Sequence, residues 1–144
     1  MTALRLFALV FGLVFLLVGA AGFVPGFTTT HTHPDVRIVT GMGLLFGLFP
    51  VNLLHNLAHL LFGVWGLFAA TSEGAARLYG QVVAIAYGVL TIMGLVSAMN
   101  LHTVFGLVPL YGNDIWLHAA LAVVAAYFGF MYEREMPISS RPRL

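Results

Sequence analysis

The chain has 144 residues, 60% of them hydrophobic and only 8% Asp, Glu, Lys or Arg, with a formal net charge of +1 and no cysteine. A water-soluble surface needs about a quarter of its residues charged, so this composition excludes a soluble domain and makes lipid the solvent for much of the chain. Six arginines without a lysine form no basic stripe, which argues against nucleic acid as a partner; the missing thiols exclude disulfides, thiolate zinc sites, iron–sulfur clusters, covalently attached haem and cysteine nucleophiles.

Crossing a hydrocarbon core about 30 Å thick takes about 20 apolar residues. The length therefore suits four crossings in one domain, residues 1–132, and the expected fold is an all-α membrane protein, a four-transmembrane-helix bundle. The first apolar segment, Leu6–Val24, follows Arg5. Its Gly19-Ala20-Ala21 stretch would pass as a signal-peptide cleavage site, but the apolar run exceeds the roughly 7 to 15 residues of a signal core, so it is read as a retained helix. A loop from Pro25 to Pro50 follows, then a second segment, Val51–Ala70. The third, Val82–Met99, is approached by Gly80, Ala84 and Gly88 at four-residue spacing, a pattern that lets a neighbouring backbone come close; Gly22 and Gly26 have the same spacing after helix 1. The loop Asn100 to Asn113 leads into the fourth, Ile115–Met131, and residues 133–144, with Pro137 and Pro142 among charges, read as a short cytoplasmic tail.

Arginine placement orients this arrangement. Arg5, Arg77, Arg134, Arg141 and Arg143 fall on one side and Arg37 alone on the other, so the excess of positive charge sets both termini in the cytoplasm. The loops 25–50 and 100–113 then face outward.

A repeat organises the chain. Phe46-Gly47-Leu48-Phe49-Pro50 leads into helix 2 and Phe105-Gly106-Leu107-Val108-Pro109 into helix 4; His59 and His118 each stand nine residues after the proline, and His55 is set against Asp114. The pattern reads as two pseudo-repeated helical hairpins related about an axis along the membrane normal.

All six histidines map to the outward side. His31, His33 and His102 lie in loops, while His55, His59 and His118 lie in the first turns of helices that begin there. His55 and His59 are at i and i+4 and so share a face, with Asn52 one turn above and Asn56 between them; Asp114 and His118 repeat the spacing after Asn113. If the two faces meet, three imidazoles and a carboxylate converge. His55, His59, Asp114 and His118 would suit a transition metal, Zn or Cu. Alternatively, His59 and His118 would be ligands of a haem or chlorin held between facing helices. A proton or ion relay is a third use. The bland reading is a polar network in which Asn113 and Asp114 cap helix 4 and the histidines tie helix to helix. His31-Thr32-His33 beside Pro34 reads as a solvated loop.

Common catalytic signatures are missing: there is no Gly-x-Ser-x-Gly, no His-Glu-x-x-His and no phosphate-binding glycine loop. Ser97 and His102 lack a group to orient the base and any oxyanion donor. The expected function is therefore a non-enzymatic structural or accessory membrane protein whose polar cluster holds a metal or tetrapyrrole, with the lipid bilayer and a homo-oligomer or larger membrane complex as partners. A small proton- or metal-coupled transporter or channel is the alternative; nearly apolar helices 1 and 3 argue against it.

The run Pro50-Val51-Asn52-Leu53-Leu54-His55-Asn56-Leu57-Ala58-His59, followed by Gly63 and Gly66 and later by Asn113-Asp114-Ile115-Trp116-Leu117-His118, resembles a family of small bacterial four-helix membrane proteins known only as a domain of unknown function. The likeness extends from Leu6 to about Gly129. It implies the topology and a bacterial plasma membrane, and no activity, substrate or cofactor.

Overall fold

The computed structural model describes residues 1–133, so the tail beyond Glu133 lies outside the described residues. Four helices account for most of them: α1 (Ala3–Ala21), α2 (Leu53–Ala69), α3 (Glu73–Leu95) and α4 (Asn113–Ala126), the last extended by a π-helical turn, Tyr127–Met131. Ala3–Ala21, Glu73–Leu95 and Asn113–Met131 are long and apolar enough to cross a membrane, whereas α2 is apolar but shorter, with 17 residues. Leu17, Leu61, Phe68, Ile92 and Val123 are 66% to 71% exposed, so each helix presents bulky apolar side chains outward. Such a surface is stable against lipid and not against water.

The helices pack mainly in sequential pairs, α1 on α2 and α3 on α4, with α3 also touching α1 and α2. Lipid supplies no hydrophobic drive between helices, so close backbone approach must do the work. At the α1–α2 contact a Cβ on Gly12 would lie 2.8 Å from the Leu67 nitrogen, and one on Gly63 would lie 2.7 Å from the Leu16 nitrogen. In the α3–α4 pair a Cβ on Gly129 would come within 2.6 Å of the Gln81 nitrogen, against Gly80. Gly22 is closed over by the Asn56 amide, while Gly26 and Gly88 face open space. Of the small-residue positions singled out by spacing, Gly80 and Gly22 are thus real contacts.

Helix α3 begins nine residues before the expected Val82. Ser72 caps it by accepting from the Ala75 amide at 3.2 Å, and Glu73 sits at the positive end of the helix dipole. Its polar first turns are satisfied by the end of α4: Arg77 donates to the Tyr132 carbonyl at 2.8 Å and Gln81 to the Gly129 carbonyl at 3.1 Å. Arg5 plays the same part in the first pair, donating to the Ala70 carbonyl at the end of α2 at 2.7 Å.

The loop between α1 and α2 departs from the all-α expectation. It folds into a three-stranded antiparallel sheet, β1 (Thr28–Thr30), β2 (Gly43–Leu45) and β3 (Phe49–Val51), with Thr28 opposite Leu45 and Leu45 opposite Phe49. The β2–β3 turn carries Phe46 and Gly47 at φ of 53° and 71°. Phe105 and Gly106, in the second copy of the Phe-Gly-Leu sequence, are left-handed as well, at 59° and 90°.

Asn52 joins these outer segments to the helices. Its Oδ1 accepts from the His55 amide at 3.0 Å and so caps α2, while its Nδ2 donates to the Ile38 carbonyl at 2.9 Å and the Leu107 carbonyl at 2.7 Å. Below lies the core, in which Leu4, Phe7, Ala8 and Phe15 of α1 meet Ala76, Tyr79, Val83 and Tyr87 of α3.

Candidate metal centre

His55, His59 and His118 come together at the end of this core near the α1–α2 and α3–α4 loops. Each offers a ring nitrogen, and these three atoms lie within 4.8 Å of one another, all on buried residues. The rings of His55 and His59, brought together by their i, i+4 spacing, are tilted with centroids 4.6 Å apart, and His118 reaches across from α4 to 5.9 Å from His55. The inward faces of α2 and α4 therefore meet at this level.

A hydrogen bond fixes one of the three rings, and a carboxylate stands beside a second. His55 Nδ1 is 3.1 Å from the Pro50 carbonyl, which can only accept, so the proton is on Nδ1 and the lone pair on Nε2. His118 Nδ1 is 3.6 Å from the Asp114 carboxylate, one turn earlier on α4, and both residues are 2% exposed. A carbonyl or a carboxylate on the far nitrogen is the arrangement that orients a metal-ligating histidine. Several polar atoms here have no hydrogen-bond partner: His59 Nδ1, His118 Nδ1, Asp114 Oδ2 and both ends of the Asn56 amide. Each such atom costs about 1 to 3 kcal/mol when buried unpaired; a bound cation would offset part of this by ligating His59 and by favouring donation from His118 Nδ1–H to the Asp114 carboxylate.

The centre has aromatic walls. Phe15 stacks on His59 at 5.6 Å and on Tyr87 at 5.4 Å, and Tyr87 meets His118 edge-on at 4.7 Å. Phe62 closes against both Phe15 and Tyr87. Together they line the histidines on the side of the α1–α3 core. Cavities of about 70 Å³ and about 150 Å³ border the histidines. Both are well below the roughly 300 to 1,000 Å³ of ordinary ligand pockets, so there is room for a small ion, and a macrocycle would require α2 and α4 to part.

The remaining residues of the expected cluster are placed differently. Asn52 is fully engaged in capping and loop bonds. Asn56 packs on Gly22 of α1. Asn113 donates to the Leu48 carbonyl at 3.4 Å, linking the β2–β3 turn to α4. The expected Asn113–Asp114 cap is not formed: Gly112 occupies the cap position without a side-chain bond, and Asp114 turns inward to His118. Phe15 and Tyr87 were not singled out by sequence. Shifting helix 1 onto helix 3 by 72 residues, which aligns Arg5 with Arg77, would have placed them together.

A family model described as Domain of unknown function (DUF4383) matches residues 5–131. No curated protein and no solved structure matches the chain.

Proposed function

The chain belongs to the DUF4383 family, and we propose that it is an integral membrane protein that holds one late first-row transition-metal ion, copper or zinc, on His55, His59 and His118. In this reading four transmembrane helices form a bundle of two pseudo-repeated hairpins in a bacterial plasma membrane, with both termini in the cytoplasm. The ion ties the hairpins together near the outer surface, and the role is that of a non-enzymatic structural or accessory protein. The observation that carries the proposal is the convergence of three buried imidazoles within 4.8 Å, from both hairpins. Around an ion with ligands at about 2.0 Å, tetrahedral donors stand about 3.3 Å apart, so each ring needs to move by less than about 1 Å. Neutral imidazole suits both metals. Asp114 serves here as the group that orients His118 and balances part of the ion's charge, and not as a direct ligand.

The repeat is supported by residues beyond the shared Phe-Gly-Leu turns. A shift of 72 residues carries buried Leu4, Phe7, Ala8, Gly12 and Phe15 onto buried Ala76, Tyr79, Gly80, Ala84 and Tyr87. A shift of 59 carries His55, His59 and Gly66 of the second helix onto Asp114, His118 and Ala125, all buried. Contacts follow the same relation: Phe15 lies on His59 as Tyr87 lies on His118, and Gly22 against Asn56 matches Gly94 against Ile115. The hairpins then differ where chemistry does, with the first, α1–α2, supplying two imidazoles and the second, α3–α4, one imidazole and its carboxylate.

A conduit for protons or metal is less well supported, because the apolar rings of Phe15 and Phe62 pack with Tyr87 beside the histidines and offer no chain of polar groups. The test is metal analysis of the full chain purified in mild detergent without chelator. After desalting that empties exchangeable surface sites, one retained equivalent of copper or zinc is expected, falling to background in His59→Ala at unchanged helix content. A well-folded wild type that stays metal-free after exposure to both ions overturns the proposal.

A further inference from the structure

The outer loops bring a second set of donors together, and we propose that His33, Asp35 and His102 form a separate, solvent-accessible site for a divalent transition ion of the zinc class. This site does not rest on the buried centre. Its three donor atoms lie within 4.8 Å of one another, and its residues come from both outward loops, 69 residues apart between His33 and His102.

The Asp35 carboxylate stands 3.3 Å from His102 Nε2 and 4.0 Å from His33 Nδ1. His33 Nδ1 is the acceptor of the Asp35 amide at 3.3 Å, so its lone pair is on the side of that carboxylate. An imidazole lone pair and a carboxylate oxygen, both acceptors, therefore face one another, and a shared cation resolves the conflict. A bound ion at Nδ1 would replace only that long amide bond. The rings of His33 and His102 meet edge-on at 5.5 Å, close enough for two cis ligands of one ion.

Tyr111 holds the set in place. Its ring stacks on His33 at 4.4 Å, and its hydroxyl pairs with His31 Nε2 at 3.1 Å. Partial burial keeps its hydroxyl protonated, pushed up to about 12, so Tyr111 is a prop and not an anionic ligand. The loops themselves are locked by the Arg37 amide donating to the Gly106 carbonyl at 2.7 Å. Two imidazoles and one carboxylate, with Asp35 42% exposed, form a three-ligand set that leaves a coordination position to water. An ion taken from outside would cross-link the two outward loops over the buried centre.

Zinc chloride titration of the chelator-stripped full chain in detergent, read as zinc bound per chain at saturation, tests the site. Two ions are expected for wild type, one for Asp35→Asn and one for His59→Ala, with the ion lost from Asp35→Asn being the faster to exchange with a chelator. One ion in wild type and none in Asp35→Asn would keep this site while removing the buried one. Asp35→Asn and His33→Ala that both bind as many ions as wild type would overturn it.

Discussion

Asn52→Ala is the perturbation whose magnitude follows most directly from the geometry. The side chain is 0% exposed and makes three hydrogen bonds, one to the α2 amide of His55 and two to the carbonyls of Ile38 and Leu107. Loss of an N-cap costs about 1 kcal/mol. Leaving each carbonyl without its donor costs about 1 kcal/mol more, so a destabilisation of about 3 kcal/mol is expected. Asn52→Ser separates the contributions, because its hydroxyl oxygen keeps a cap acceptor while the amide donors to both carbonyls are lost; about 2 kcal/mol should go. Reversible unfolding in mixed micelles, followed by the fluorescence of Trp65 and Trp116, reads both variants. The buried ion should stay bound, since Asn52 holds loops and not that ion. A loss under about 1 kcal/mol for Asn52→Ala would refute the assignment of this residue as the joint between the outer loops and α2.

Gly12→Ala should lower stability by about 1 to 3 kcal/mol, because the new methyl meets backbone of α2 at 2.8 Å, whereas Gly88→Ala, which meets nothing within 4 Å, should change it by less than about 0.5 kcal/mol. Equal effects in the same unfolding assay would contradict the glycine-mediated contact. The chain has no cysteine, so single cysteines report sidedness cleanly: Leu48→Cys should react with an impermeant thiol reagent added to intact cells, and Glu133→Cys only after lysis. The reverse pattern would invert the proposed topology. Proteoliposomes should show no proton or zinc flux above protein-free vesicles, and flux that disappears in His59→Ala would replace the holding role with a conduit.

Much of the helical layout can be read from hydropathy, because apolar runs in lipid need no second signal. The start of α3 escapes that reading because Glu73, Arg77 and Gln81 lower the local hydropathy, and the partners of Arg77 and Gln81 lie just beyond α4, about 50 residues away in sequence. The sheet escapes it because its strands have three residues each, too short for an alternation to register. At the site, i, i+4 spacing sets His55 and His59 on one face of α2, and the matching distances of His59 and His118 from Pro50 and Pro109 point to a common level. Spacing cannot tell which way a short acidic side chain turns, which is why Asp114 suits a cap by sequence yet faces His118 in the fold. His33, Asp35 and His102 are joined only by loop geometry, with Tyr111 between them, and no periodicity links such positions.

The most direct test of the central claim is metal-edge X-ray absorption on the metal-loaded Asp35→Asn protein, in which the outer loops do not contribute. Three imidazole nitrogens at about 2.0 to 2.1 Å, with the outer-shell scattering of intact rings, are expected. A shell of oxygen alone, or an unaltered spectrum in His118→Ala, would contradict a three-histidine centre.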